Sequence, residues 1–369
     1  MLDPIRLALA QARLATGLTD PNPRVGCVLT TPDGRLLAQG HTQQAGGPHA
    51  EVVALRAARD AGLDVRGATA WVTLEPCAHH GRTPPCCDAL VHAGVSRVVV
   101  ALRDPNPLVG GQGIERLRAA GIEVEVLPSD HPAAVEAREL NIGFLSRMVR
   151  GLPWVRMKIA ASLDGRTALD SGESQWITGP GARADGHAWR RRASAVLTGI
   201  GTVLEDDPRL DVRLVDTPRQ PLRVIVDSQL QTPPQARILP GPGAVLIYAA
   251  QDDAARRAAL EAAGAEVALL PGPGGKVDLA AMLRDLGRRG VNELHVEAGH
   301  KLNGSFVREG LVDEFLVYLA PKLVGQGREM MRFGPLGSLA DAVELEFTGI
   351  DRVGPDLRVL ARVAGRARF

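Results

Sequence analysis

The chain has 369 residues, and at roughly 150 residues per domain that length predicts two or three domains. Hydrophobic residues make up 45% of it, enough for a packed core, which excludes a disordered protein. Lys plus Arg number 43 against 42 Asp plus Glu, and a net charge of +1 argues against a protein that tracks along nucleic acid. Aromatic residues are only 3%, so Leu, Val and Ala must do most of the packing. No apolar run approaches the roughly 18 residues of a membrane span. The opening Met1-Leu2-Asp3-Pro4 lacks the basic and apolar stretches of a secretory signal, so a cytoplasmic protein without membrane or nucleic-acid partners is expected.

The first part alternates helix and strand. Helical spacing runs over 4–16 and ends near Gly17. Segments 25–30 and 36–40 read as a hairpin turned by Pro32-Asp33-Gly34. A helix is expected over 50–61, ending at Gly62, then a strand over 68–74 and an irregular Pro/His/Gly loop. Helix 86–93 stops at Gly94; strand 97–102, helix 114–120, strand 123–126 and a closing helix over 133–145 follow. The alternation implies a largely parallel sheet covered by helices. Arg150-Gly151-Leu152-Pro153 marks a boundary, after which the pattern restarts. Strands are expected at 154–160, 195–198, 222–227, 244–249, 266–270, 292–297 and 314–319. Helices are expected at 182–193, 253–263, 279–287 and 302–309, with surface turns at 239–243 and 271–275.

Four cysteines, Cys27, Cys77, Cys86 and Cys87, are few for a disulfide framework, and three fall within eleven residues. His49-Ala50-Glu51 opens a helix, Pro76-Cys77 follows a strand, and eight residues separate Cys77 from Cys86. One imidazole and two thiolates make a three-ligand zinc site that keeps a position open for water. The metal lowers the pKa of that water, and Glu51 can take its proton and deliver it to a leaving amine. His-x-Glu followed by Pro-Cys and a second Cys is the pattern of zinc-dependent deaminases, although their base-editing branch spaces the cysteines by two residues. A structural zinc with His79, His80 or Cys87 as fourth ligand is the competing reading, and it leaves Glu51 without a role. Cys87 could replace Cys86, but Cys86 stands at the helix start, where amides favour a thiolate. Cys27 reads as a buried apolar residue. His79 and His80 could touch substrate from their loop, and Asn22, held between Pro21 and Pro23, could hydrogen-bond substrate or simply make a turn.

The second part is less specific. Gly199-Ile200-Gly201-Thr202-Val203 lies between a strand and a short helix, where backbone amides can meet a phosphate. It lacks the third glycine of a dinucleotide fingerprint and could be an ordinary tight turn. The run from Glu297 through Ser305 is a second strand-to-helix junction of this kind, opened by Gly299. Two such junctions favour a dinucleotide over a single phosphate.

The run from Thr73 to Cys86, with Asp104-Pro105-Asn106-Pro107, Leu140-Asn141, the run from Lys158 to Gly165 and Ser174-Gln175-Trp176-Ile177-Thr178, closely resembles the bifunctional deaminase–reductase family of riboflavin biosynthesis over nearly the whole chain. The resemblance implies an α/β protein of two domains: a cytidine-deaminase-like zinc domain over 1–147 and a dihydrofolate-reductase-like domain over 148–369. It implies deamination of 2,5-diamino-6-(5-phosphoribosylamino)pyrimidin-4-one, then reduction of the ribosyl chain by NADPH to 5-amino-6-(5-phosphoribitylamino)uracil. By position, Ala161, Trp176, Thr202, Asp206, Ser228, Gly299, His300, Lys301, Leu302, Asn303, Gly304 and Ser305 would hold NADPH. Ser174, Arg190, Leu210, Arg213 and Glu297 would hold substrate, the arginines gripping its phosphate and Glu297 its hydroxyls. Lys158 and Asp164 could polarise or protonate the ribose carbonyl. A homodimer is also implied. The alternatives are a nucleoside or tRNA deaminase with an accessory substrate-binding domain, and a zinc-stabilised binding protein; the wide cysteine spacer and neutral charge weigh against tRNA.

Overall fold

The computed structural model describes residues 3–78, 84–106 and 110–369. The chain divides into two compact units, Met1–Gly151 together with Phe369, and Leu152–Arg368. No helix is long and apolar enough to cross a membrane, among the described residues.

In the first unit α1 (Pro4–Leu14) starts at Asp3, whose carboxylate accepts the Arg6 N–H. Strands β1 (Gly26–Thr30) and β2 (Leu36–His41) form the expected hairpin. Then come α2 (Ala50–Asp60), β3 (Thr69–Val72), α3 (Cys86–Ala93), β4 (Arg97–Val100), α4 (Gln112–Ala119), β5 (Glu123–Val126), α5 (Pro132–Leu140) and α6 (Ile142–Arg150). Gly94 ends α3 in the left-handed region at φ 73°, where a residue with Cβ would be strained. The sheet runs β2-β1-β3-β4-β5. Only β3-β4-β5 are parallel; β1 is antiparallel to both neighbours, so the sheet is mixed rather than largely parallel. Ala50, Ala54 and Ala58 of α2 join Cys87, Leu90 and Leu117 in one core with the strands. Ile5, Ala8, Leu9 and Ala12 of α1 join Ala133 and Ala137 of α5 in another. Small residues on α1 suit close approach, and a Cβ on Gly26 would lie 1.9 Å from the Ala8 carbonyl oxygen.

The helix expected over 133–145 is broken at Asn141. Its side-chain amide donates to the carbonyls of Arg24 and Ala137, and its Oδ1 accepts the Arg24 N–H at 2.7 Å. A tertiary anchor thus wins over helical periodicity.

The second unit begins with β6 (Trp154–Ser162) and β7 (Arg166–Ala168), followed by α7 (Pro180–Arg192), β8 (Ala195–Gly199), α8 (Ile200–Asp206), β9 (Leu222–Val226), β10 (Val245–Ala249), α9 (Ala254–Ala262) and β11 (Ala265–Leu269). It continues with α10 (Leu279–Arg288), β12 (Glu293–Val296), α11 (His300–Arg308), β13 (Glu314–Ala320), β14 (Arg328–Glu329), β15 (Leu345–Val353) and β16 (Asp356–Val363). The main sheet runs β11-β10-β9-β8-β12-β6-β13-β16-β15, parallel as far as β13, and β14 pairs with β7 in a small ribbon. Met157, Ile159, Met282, Leu283, Leu286 and Phe306 lie in one core cluster. Val196, Val203, Ile225, Ile247 and Leu260 lie in another. The hairpin of β15 and β16 lies beyond the last expected strand. Its outer strand exposes Phe347 and Ile350, so no buried face imposed an alternating pattern on it.

Candidate active sites

In the first unit, His49 is the residue before α2 and Glu51 sits in that helix's first turn. Cys77 follows the end of β3, and Cys86 is the first residue of α3. These elements bring His49, Cys77 and Cys86 together, with one donor atom from each lying within 4.8 Å of the others. His49 Nδ1 is 3.6 Å from Cys77 Sγ and 3.2 Å from Cys86 Sγ. The helix amide expected to serve Cys86 serves its partner instead: Cys86 N–H points at Cys77 Sγ, 3.4 Å away. A hydrogen bond from Cys86 pulls the Cys77 thiol down to about 4, and the same contact pushes Cys86 up. Among the described residues the cluster offers one nitrogen and two sulfurs, a donor set that suits a zinc site with a position open for water. Cys87 and Cys27 are fully buried in the core. His79 and His80 lie outside the described residues.

Glu51 is buried, and its carboxyl is pushed up to about 7, first by burial and then by the nearby Cys77 charge. It lines a cavity of about 430 Å³ with His49, Cys77, Asn22, Asp104 and Asn106. Glu75, which the sequence reading did not single out, lines it too. The Glu75 carboxylate accepts the backbone N–H groups of Asp104, Gly111, Gly113 and Ile114 at 3.0–3.3 Å.

The second unit holds a cavity of about 530 Å³. Lys158, Ser174, Trp176, Arg190, Thr202, Asp206, Leu210, Arg213, Glu297, Gly299, His300 and Asn303 all line it. The two strand-to-helix junctions meet here: a Cβ on Gly299 would lie 3.8 Å from Thr202 Oγ1. Ala161, Ser228, Lys301, Leu302, Gly304 and Ser305 do not line it. Ala161 is buried within β6. Leu302 packs on Gly199, whose added Cβ would sit 3.0 Å from Leu302 Cδ2. Gly304 faces the Arg332 backbone, and the Ser305 hydroxyl donates to the Lys301 carbonyl. Ser228 Oγ accepts the Val277 N–H.

The charges are organised differently from the expectation. Arg190 grips Glu297 with two bonds, Nε to Oε1 at 2.5 Å and Nη2 to Oε2 at 2.9 Å. Its Nη1 donates to the Asp211 carbonyl at 3.0 Å, so all three guanidinium nitrogens are engaged within the protein. Glu297 also has Lys158 Nζ at 3.7 Å and His295 Nε2 at 3.4 Å. Against its burial, the Arg190 and Lys158 charges hold its carboxyl well below the usual range. The more exposed cations are Arg209 and Arg213, which flank Asp211 at 2.6 Å each. Trp176 is 61% exposed, with the Arg183 guanidinium 4.5 Å above its ring. Asp164 is tied down by hydrogen bonds. It accepts the Ser162 hydroxyl and the Val324 and Gly325 amides, and these bonds hold it down at about 2.

The family model described as the cytidine and deoxycytidylate deaminase zinc-binding region matches residues 3–102, and that of the RibD C-terminal domain matches residues 153–359. The chain is 46% identical to riboflavin biosynthesis protein RibD of Escherichia coli K12, over 95% of this chain and 96% of that one. It is 41% identical to RibD of Aquifex aeolicus, over 96% of each chain. The solved structure of Acinetobacter baumannii RibD superposes with a TM-score of 0.87 at 40% identity, covering 98% of both chains. A diaminohydroxyphosphoribosylaminopyrimidine deaminase/5-amino-6-(5-phosphoribosylamino)uracil reductase from Thermotoga maritima gives 0.86 at 33% identity, again over 98% of both. With both family models matched in order and relatives of this identity over nearly the full length, the chain belongs to the RibD family of bifunctional deaminase–reductases of riboflavin biosynthesis.

Proposed function

We propose that residues 1–147 deaminate 2,5-diamino-6-(5-phosphoribosylamino)pyrimidin-4-one. Residues 148–369 then reduce the ribosyl chain of the product with NADPH, giving 5-amino-6-(5-phosphoribitylamino)uracil. The observation that carries the first step is a buried Glu51 that lines one cavity with His49 and Cys77, two of the three clustered donors. His49, Cys77 and Cys86 would hold zinc, which would supply the Lewis acidity that makes water a nucleophile at neutral pH. Glu51 would accept a proton from the attacking water and return it to the departing amine, so that a C–O bond replaces C–N and ammonia leaves. Asn22, Asp104 and Asn106 offer polar groups to the ring from the cavity wall.

In the second cavity, Trp176, Thr202, Asp206, Gly299, His300 and Asn303 would receive NADPH, with amides at the start of α11 facing its pyrophosphate. NADPH would supply the hydride to ribosyl C1′ as the C1′–O4′ bond opens, and the protein would orient C1′ against it. Lys158 would deliver the proton to the released O4′, with Glu297 holding the ammonium in place. Arg213 and Arg209, partly open to solvent, are better placed to meet the substrate phosphate than Arg190, which Glu297 already holds. A homodimer in the cytoplasm is the setting that the family resemblance supports.

The test is ammonia release from the diaminopyrimidinone without NADPH, followed by NADPH addition while its absorbance is watched. Glu51→Gln is expected to abolish ammonia release while zinc content and reduction of deaminated substrate persist. Ammonia release at the wild-type rate from Glu51→Gln would overturn the assignment of the proton carrier.

A further inference from the structure

We infer that Glu75 is a positioning residue of the deaminase site, holding the segment that carries Asp104 and Asn106 as a wall of the substrate cavity. The inference rests on the reading of that cavity as the deaminase site. Strands β3 and β4 lie side by side, and their exits lead to Cys77 and to Asp104 respectively. The Glu75 N–H donates to the Leu102 carbonyl at 2.9 Å, carrying the pairing one step past the strand ends. Its carboxylate then closes the gap between the two exits. Oε2 accepts Asp104 N–H at 3.2 Å and Gly111 N–H at 3.0 Å, and Oε1 accepts Gly113 N–H at 3.0 Å and Ile114 N–H at 3.3 Å.

Two of these donors, Gly113 and Ile114, belong to the first turn of α4, whose N–H groups have no partner within the helix, and a third, Gly111, is its N-cap. A helix ordinarily answers them with its own N-cap side chain, but the N-cap here is Gly111, which has none. A carboxylate from another strand does the work, and its charge complements the helix dipole. The local sequence is fitted to that approach. A Cβ on Gly113 would lie 2.0 Å from the Pro76 carbonyl oxygen, and one on Gly110 would lie 2.5 Å from the Asp104 carbonyl oxygen. Glu75 is 6% exposed and forms no ion pair with Lys or Arg, among the described residues, so backbone amides alone compensate its charge. A cap serving stability alone need not line the cavity. This one lines the cavity, two residues from Cys77, and fixes the residue that begins the opposite strand's contribution to it.

The metal donors do not use the Glu75 carboxylate: His49 and Cys86 are set by α2 and α3, and Cys77, beyond β3, is met by the Cys86 N–H at 3.4 Å. Loss of its charge should therefore loosen substrate capture and leave the chemical centre intact. Glu75→Gln keeps the shape but offers one oxygen instead of two, and turns N–H groups toward N–H groups. In the full-length, zinc-loaded protein the KM for deamination is expected to rise about tenfold, with kcat within about threefold of wild type. Zinc stoichiometry and NADPH-dependent reduction should not change. Glu75→Ala should raise KM further. A KM within about twofold of wild type at full zinc loading, or a fall in kcat alone, would overturn the inference. Failure of the deaminase reading itself would look different, since wild-type protein would then release no ammonia. Should the variants not fold, hydrogen exchange of the wild-type peptide over 104–114 decides. Slow exchange supports the four amide bonds, and exchange at the rate of an unstructured peptide overturns them.

Discussion

Replacing Glu297 by Gln takes the charge from a carboxylate that Arg190 holds with two bonds in the second cavity. Both side chains are only 13% exposed, so the pair is shielded from water and from salt. Removing one partner of a buried pair costs about 3–5 kcal/mol, because the other is left charged and unpaired. The two partners are not equivalent. Without Arg190, Glu297 keeps Lys158 at 3.7 Å and His295 at 3.4 Å. Without the Glu297 charge, Arg190 keeps only the Asp211 carbonyl. We therefore expect Glu297→Gln to cost about 3–4 kcal/mol, Arg190→Met about 2, and the double variant little more than Glu297→Gln alone, a coupling near 2 kcal/mol. Urea unfolding read by tryptophan fluorescence measures it, since Trp154, Trp176 and Trp189 of the four tryptophans lie in the second unit. Additive single effects, with a coupling below about 0.5 kcal/mol, would refute the argument. They would return Arg190 to the role its sequence suggested, a cation open to the substrate phosphate.

Other outcomes follow from the same geometry. Chelation of the metal should stop ammonia release and leave reduction of deaminated substrate intact; parallel loss of both would mean that the His49–Cys77–Cys86 cluster supports more than deamination. In chelator-treated protein Glu51 is expected to oppose folding once charged, because its carboxyl is raised to about 7 from an ordinary value of 4.5. Its contribution is then fully present below the ordinary value and lost as pH rises through about 7. Glu51→Gln should accordingly match wild type near pH 4 and exceed its stability by about 3 kcal/mol near pH 8; a pH-independent difference would refute this. Gly304→Ala would place a Cβ 1.8 Å from the Arg332 carbonyl oxygen, a backbone atom that cannot rotate away. A loss of about 2–3 kcal/mol in the second unit is expected by urea unfolding, and an unchanged midpoint would contradict the close approach.

Local signals carried much of the fold. Helix α3 was legible to the residue because Gly94 stops it, and α2 because apolar spacing follows His49 and ends at Gly62. The metal cluster was legible because each donor stands beside an element end that the sequence marks. What escaped depends on partners far along the chain. Asn141 breaks a helix for the sake of Arg24, 117 positions earlier. The β15–β16 hairpin escaped because its outer strand has no buried face. Arg190 stands in a run of three arginines, and nothing local shows that Glu297 holds it, 107 positions later. Glu75 looked like part of a cysteine motif. Its signal was the glycines at 110, 111 and 113, readable only once β3 is known to lie beside β4.

The order of strands also governs when each unit can close during synthesis. In the first unit the sheet is laid down almost in chain order, each strand arriving beside one already made. In the second, β6 is made first yet sits between β12 and β13, pairing Trp154 with Glu293 and Arg156 with Glu314. A ribosome that has just finished β11 has therefore produced a strand of nine residues with both edges bare, including the apolar Met157 and Ile159. That interval is the one in which a nascent chain of this protein most needs protection from pairing with its neighbours. Truncations that stop before residue 293 should accumulate as aggregate, while those ending near residue 151 should not.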